Sequence, residues 1–308
     1  MLHEAAGMNL PEVRMRVLKR RRDPAAVNSR LIRRPIQRMF WLFLLPMTAA
    51  FCIGFVYPFL KGLFLSFCKF KTTSKWTWVG LSNYVKAFHD ESFLYSFGYT
   101  AVFAIVSLII INVLAFAVAY ALTQGIKGTN VFRTVFFMPN LIGGIVLGYI
   151  WSMIFDGILS HYGTSILLNT KLGFWGLIIL MCWQQIGYMM IIYIAGLQAV
   201  PEDMLEAAKI DGANKWQTLW KVTMPLSIPG IVSGITMVFM PSVTTFFIPR
   251  VLGGGNTMMF GDLIEAKFLT EGNWNVGSAL SLIMMVLILI SLSILRKADP
   301  NGEGGGIA

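Results

Sequence analysis

The sequence predicts an all-α, polytopic membrane protein with six transmembrane helices. Three observations carry that prediction. Of the 308 residues, 56% are hydrophobic and 13% charged, about half the charged fraction of a soluble domain. The apolar residues fall in six blocks, each nearly free of charge and long enough to cross a bilayer as a helix. The Lys and Arg residues that raise the net charge to +10 flank these blocks, a distribution that fits membrane orientation rather than nucleic-acid binding.

The elements follow in order. Residues 1–38 hold ten Lys or Arg, including Lys19-Arg20-Arg21-Arg22 and Arg33-Arg34. They are read as a cytoplasmic basic segment that touches anionic lipid headgroups. The first block, residues 39–60, is 22 residues without a charge. It is longer than a signal-peptide core and reads as a retained anchor, with Pro46 and Pro58 able to kink it. Residues 61–96 read as a polar, aromatic connector. The second span covers 97–122. The third covers 131–155, interrupted by Pro139, Gly143 and Gly144. The fourth covers 173–197, the fifth 228–248 and the sixth 276–295. Residues 298–308 form a short cytoplasmic tail, so the transmembrane domain occupies 39–297.

Charge counting gives an orientation. With the N-terminus in the cytoplasm, the inside segments hold 17 of the 25 Lys and Arg and the outside loops hold 8. The excess favours a cytoplasmic N-terminus, and an even number of spans returns the C-terminus to the same side.

The chemistry-bearing residues exclude several classes. Cys52, Cys68 and Cys182 show no CxxC spacing, and His3, His89 and His161 are scattered, so no metal site, disulfide framework or catalytic constellation is expected. No G-x-x-x-x-G-K-[ST] loop is present, and the Gly253-Gly254-Gly255 run lacks the following Lys. The chain is therefore expected to bind no nucleotide itself.

The segment 201–225 is the most informative. Pro201 followed by Glu202 and Asp203 starts a helix, with acids suited to the first turn. Gly212 breaks it. A second amphipathic stretch carries Trp216, Leu219 and Trp220 beside Lys215 and Lys221, and Pro225 ends it. The result is a short helix–turn–helix between two spans, on the positive side, with an apolar face available to a partner.

Here a resemblance becomes specific. Glu206-Ala207-Ala208, three intervening residues, Gly212, nine intervening residues and then Val222-Thr223-Met224-Pro225 resemble the EAA motif of ABC importer permeases. Val222 and Met224 replace the usual Ile and Leu. The resemblance implies a type I ABC importer permease fold in the bacterial plasma (inner) membrane. It implies that Glu206, Ala207, Ala208, Gly212 and Pro225 dock on a cytoplasmic ATPase dimer, which holds the ATP and Mg²⁺. It also implies a second permease subunit, a paralogue, and an extracytoplasmic substrate-binding protein. It covers about residues 40–297. The stretches VGLSNYVKAF and NVFRTVFFMPNLIGGIVLGYIWSMIF resemble the carbohydrate branch, whereas residues 247–282 and the GEGG tail resemble the spermidine/putrescine branch.

Polar residues inside spans mark the expected path. Met181, Gln184, Gln185 and Tyr188 have the spacing to share a face of the fourth span, with either Gln184 or Gln185 between the other two. The fifth offers Ser242, Thr244, Thr245 and Phe246 next to Pro241. Amide, hydroxyl and ring groups suit a sugar; helix–helix hydrogen bonding is the competing reading for each. The resemblance places substrate contacts on these two spans, so Gln184, Gln185, Tyr188, Ser242, Thr245 and Phe246 are the expected path residues. No acid lies mid-span in either, which favours a neutral cargo over a polyamine cation. An ion-coupled secondary transporter would show intramembrane coupling charges and an internal repeat; neither is evident.

Overall fold

The computed structural model describes residues 40–42, 44–72, 75–253 and 257–297. The basic leader, the tail, and Gly254 and Gly255 of the triple-glycine run lie outside them. The chain divides into two compact units, residues 1–62 and 63–308.

The first helix, α1, runs Phe40–Ser66. It contains one π-wound turn at Cys52–Val56, closed by Tyr57 N–H donating to the Cys52 carbonyl. Pro58 follows directly. Proline has no N–H and its ring crowds the carbonyl four residues back, so a wider turn before it relieves the ladder at that point. Phe51, Phe55 and Phe59 stack along the helix at 5.2 and 6.2 Å.

The connector after α1 holds structure that the sequence reading left out. Strands β1 (Cys68–Thr72) and β2 (Lys75–Trp78) pair antiparallel, Phe70 opposite Trp76 and Cys68 opposite Trp78. Helix α2 (Ser82–Phe88) follows. Its Asn83 side chain donates to the carbonyls of Ser66 and Cys68 at 2.8 and 2.9 Å, which fixes the hairpin against the helix.

Helix α3 (Glu91–Thr123) is capped by Asp90, whose carboxylate accepts from Ser92 N. The short α4 (Thr129–Phe137) precedes α5 (Gly144–Leu159). Here the structure corrects the predicted third span. The helix does not run on from residue 131: a 3₁₀ turn at Met138–Leu141 holds Pro139, and Ile142 and Gly143 are extended. Pro139 forbids a regular ladder into α4, so the span starts at Gly144, and the apolar helix passing for a membrane crossing is Gly144–Tyr162.

Helix α6 (Thr170–Gln198) is the most buried of the spans. After it come α7 (Glu202–Ile210) and α8 (Lys215–Leu226), then α9 (Ile228–Thr244), bent from α8 by 70°. The α8 helix has its own π turn, Leu219–Thr223, again just before a proline, Pro225. The fifth span is shorter than predicted: α9 stops at Thr244, Thr245 is extended, and α10 (Phe247–Gly253) starts afresh. Helix α11 (Phe260–Glu265), a π turn at Ala266–Thr270 and α12 (Trp274–Lys297) complete the described chain. Among the described residues five helices are long and apolar enough to span a bilayer, and the bent α8–α9 pair makes a sixth.

Helices α3 and α6 run parallel at the centre. Tyr99 and Phe103 meet Phe174 edge-on near the starts, and Phe116 meets Tyr193 near the ends. Helix α9 runs antiparallel to both: Gly230 faces Gly196, Gly234 lies over Tyr193, and Ser107 Oγ donates to Ser242 Oγ at 3.3 Å. In lipid, apolar side chains gain little by leaving the solvent, so close packing and such internal hydrogen bonds hold the bundle. The segment 201–225 therefore sits at one end of the bundle and the β-hairpin at the other.

Candidate coupling segment and translocation path

The 201–225 segment is built by local rules. Pro201 opens α7, with Glu202 and Asp203 in its first turn. Gly212 then adopts φ +79°. Its N–H donates to the Lys209 carbonyl at 3.0 Å, and Ala213 N–H to the Ala208 carbonyl at 2.9 Å. This pair closes the helix C-terminus in a Schellman motif, whose left-handed position glycine fills without steric cost. Asn214 and Gln217 form a reciprocal capping box for α8.

The surface of this segment divides in two. Glu206, Ala207, Met204, Ile210 and the edge-on pair Trp216–Trp220 are exposed, Ile210 by 86%. Ala208, Leu219 and Thr223 are buried. A cavity of about 660 Å³ separates the segment from the helix ends of Tyr120, Thr123 and Gln198. Pro225 is exposed at the bend into α9. The sequence-predicted coupling residues thus split: Glu206, Ala207, Gly212 and Pro225 on the open side, Ala208 on the packed side.

The segment joins the bundle close to a helix–helix contact. The backbones of α6 and α9 touch where a Cβ on Gly230 would lie 3.1 Å from Gly196 Cα. This contact lies within a few residues of both ends of the segment. Farther along the same two helices Tyr188 Oη donates to Met237 Sδ at 3.2 Å.

The path residues also divide. Gln184 and Tyr188 are half-buried on one face of α6, while Met181 and Gln185 are buried on another with Met189. The expected sharing of one face holds for Gln184 and Tyr188 and leaves out Met181 and Gln185. At 3.6 residues per turn, positions 181, 185 and 189 follow one stripe and 184 and 188 the neighbouring one. Ser242 is fully buried, donating to the Val238 carbonyl at 2.8 Å and accepting from Ser107. Thr245 is half-buried at the helix break, and Phe246 is 47% exposed there. Sequence reasoning missed Met237 and Met240, which are exposed on α9 in line with Thr244. Their i, i+3, i+7 spacing was the available signal.

The opposite end carries charge. Lys267 Nζ meets Asp90 Oδ2 at 2.8 Å and Glu271 Oε2 at 2.9 Å. Burial opposes ionisation of both Lys267 and Asp90. Their mutual hydrogen bond and charge outweigh it, with Glu271 and Ser92 N adding, so Lys267 is held above and Asp90 below its ordinary value. Arg250 pairs with Glu265. Asp262 accepts from Met259 N at 3.0 Å through one oxygen, and its other oxygen has no partner. Burial, with Glu265 adding, pushes the Asp262 carboxyl up from 3.8 to about 7, against the hydrogen bond from Met259 and the charge of Arg250. A raised folded value means its contribution to stability is full below 3.8 and is lost as pH rises through about 7. The gap corresponds to roughly 4 kcal/mol. Thermal unfolding of the detergent-solubilised protein should accordingly shift to lower temperature between pH 4 and 7, and D262N should flatten that slope. An unchanged slope in D262N would exclude the carboxyl as its source. Among the described residues no three His, Cys, Asp or Glu are grouped to hold a metal ion.

Comparison with known proteins matches this architecture. Residues 113–301 fit the family model described as binding-protein-dependent transport system inner membrane component. The probable starch degradation products transport system permease protein AmyD of Thermoanaerobacterium thermosulfurigenes is 35% identical over 263 residues, covering 82% of this chain and 90% of that protein. The trehalose/maltose transport system permease protein MalF of Thermococcus litoralis is 28% identical over 82% of this chain and 90% of its own. A crystal structure of a bacterial ABC transporter that imports the acidic polysaccharide alginate superposes with a TM-score of 0.72, at 20% identity, over 86% of this chain and 98% of that one. An 82% share reaches into the last third of the sequence, so likeness to a sugar permease is not confined to its front. Six-span architecture, the spaced EAA segment and these matches agree: the chain belongs to the binding-protein-dependent inner membrane component family, the non-catalytic permease subunits of ABC importers.

Proposed function

We propose that the chain forms half of the translocation path of an importer for a neutral oligosaccharide. The 201–225 segment docks on a cytoplasmic ATPase dimer that holds ATP and Mg²⁺, both termini are cytoplasmic, and a paralogous permease supplies the other half of the path. An extracytoplasmic binding protein delivers cargo at the hairpin end, and membrane lipid surrounds the spans. The observation that carries this reading is the continuity from exposed Glu206 through the Gly196–Gly230 contact to the Tyr188–Met237 pair. Movement of the segment acts on α6 and α9 together, the two helices whose open faces bear Gln184, Tyr188, Met240 and Thr244. Such paired helices are an element that a closing ATPase can bias between two arrangements.

Sugar is supported by the relatives, whose names refer to starch degradation products and to trehalose and maltose, and by an open face of amide, hydroxyl, thioether and ring groups without an acid. In this reading Gln184 and Thr245 hydrogen-bond hydroxyls, Phe246 and Tyr188 stack on the apolar sugar face, and Gln185 and Ser242 hold the helices that present them. The test is uptake into liposomes containing the complete importer and its binding protein. Expected is ATP-dependent accumulation of a maltooligosaccharide and none of spermidine, with Tyr188→Ala reducing uptake about tenfold, the loss of one stacking contact at a desolvated site. Spermidine uptake without sugar uptake would overturn the cargo and favour the branch that residues 247–282 resemble.

A further inference from the structure

The hairpin and α2 expose an apolar surface that the proposed transport and coupling roles leave unassigned. On α2, Asn83 and Ala87 are buried, while Val85 and Phe88, with Leu81 just before the helix at i, i+4 and i+7 spacing, are each more than half exposed. On β2, Trp76 and Trp78 point to one side of the strand and are exposed by 48% and 61%. The tryptophans and the helix itself are held in place. Trp78 stacks on Phe67 at 5.6 Å and Trp76 meets Phe64 edge-on at 4.8 Å. Asn83 ties α2 to the Ser66 and Cys68 carbonyls, Ser66 Oγ and Tyr84 Oη share a hydrogen bond at 2.7 Å, and Phe70 N donates to Asn275 Oδ1 at 2.8 Å. The fold therefore holds partly exposed apolar and aromatic groups in fixed positions on the hairpin and beside α2.

Its surroundings identify the occupant. The element lies between the end of α1 at Ser66 and the start of α3 at Glu91, and it is pinned to the start of α12 through Asn275. It thus stands where spans leave the bilayer. Between residues 61 and 89 the chain has five Lys and no Asp or Glu, and Lys69, Lys75 and Lys86 are exposed. Tryptophan beside lysine on an amphipathic element at a span end is the pattern that partitions into the headgroup layer. The uncompensated positive charge complements lipid phosphate.

We infer that β1–β2 and α2 form an interfacial foot for anionic lipid. Trp76, Trp78, Leu81, Val85 and Phe88 rest at the headgroup–acyl boundary, and Lys69, Lys75 and Lys86 engage phosphates. The foot fixes the depth of α3 and α12 at the end opposite the EAA segment.

The test uses the complete importer in nanodiscs of mixed phosphatidylcholine and phosphatidylglycerol, in which either lipid is brominated near the headgroup end of its chains. Trp emission is read without ATP or cargo, so the result does not depend on what is transported. Expected is quenching whose Trp76/Trp78 share disappears in W76F/W78F, which keeps an aromatic ring on Phe67. Stronger quenching by the brominated phosphatidylglycerol is expected as well. That preference should fall about fivefold for each Lys→Gln change at 69, 75 or 86. Quenching that W76F/W78F leaves unchanged would overturn the inference. So would equal quenching by both lipids, or quenching relieved by adding the binding protein, which would make this face a protein-docking surface.

Discussion

Replacing Gly212 with valine is expected to abolish ATP-driven uptake while the protein still inserts and folds. The two outcomes separate because of where the glycine stands. It has φ +79°, and a Cβ there would meet nothing within 4 Å, so no packing is lost. The whole penalty is conformational. A β-branched residue in the left-handed region costs about 1–2 kcal/mol. That is a factor of 5–30 against the turn closed by Ala213 N–H and the Ala208 carbonyl. With that turn opened, α7 and α8 lose their fixed relation, and under the proposed coupling role a closing ATPase has no rigid body to push. Gly212→Asn, which tolerates the left-handed region, should retain a substantial part of the activity. Uptake in liposomes, ATP hydrolysis and thermal unfolding would be measured on both variants. Normal uptake in Gly212→Val would remove the segment from the coupling route. A fall in unfolding temperature larger than a penalty of about 1–2 kcal/mol accounts for would mean that the change acts on the whole fold instead.

Much of this was legible in the sequence because the bilayer enforces it. Backbone polar groups cannot be left open in lipid, so long uncharged blocks have few alternatives to helices; the fourth and sixth spans fall within three residues of where the blocks place them, whereas the second starts six residues early, at Glu91. The EAA spacing also translates directly, because Gly212 is the position where only the left-handed turn fits. What was not legible depended on pairs of residues remote in sequence. Hydropathy continues through Pro139 and Pro241, so it does not show that α5 starts at Gly144 or that α9 breaks at Thr245. The hairpin had its own signal, the alternation Lys69-Phe70-Lys71 and Lys75-Trp76-Thr77-Trp78, but between two spans a charged aromatic stretch reads as loop. In the path, spacing alone allowed Met181, Gln185 and Tyr188 to share a face. Only the packing of α6 on α3 and α9 tells the inner stripe from the outer. Ser242 illustrates the same limit: a hydroxyl in a span fits either a ligand or a neighbouring helix, and its partner in the structure is Ser107.

The other large effect is expected at a residue with no place in any motif. Changing Gly187 to alanine should destabilise the bundle by about 3 kcal/mol, at the upper end of what an added methyl costs in a packed core. A Cβ on Gly187 would fall within the contact shell of the Phe136 carbonyl, and 2.7 Å from Phe137 N. Both are main-chain atoms of the last turn of α4, so no rotamer change can make room. That turn cannot easily withdraw, because Met138–Leu141 continues it as a 3₁₀ turn around buried Pro139 before α5 begins. Alanine at Gly187 therefore has to push α4 off α6 or shift α6 itself, on the helix that carries Gln184 and Tyr188 on its open face. Gly196→Ala provides the contrast. Its Cβ would lie 3.4 Å from Gly230 Cα, an ordinary contact, and the expected loss is under about 1 kcal/mol. Unfolding in detergent would rank the two variants, with uptake measured beside it. Equal stability of the two would mean that α4 is not held against α6 as described. A large loss confined to Gly187→Ala would show that the missing side chain at 187 is what lets the main chain of α4 lie directly on the central helix, an approach that hydropathy and motif spacing cannot express.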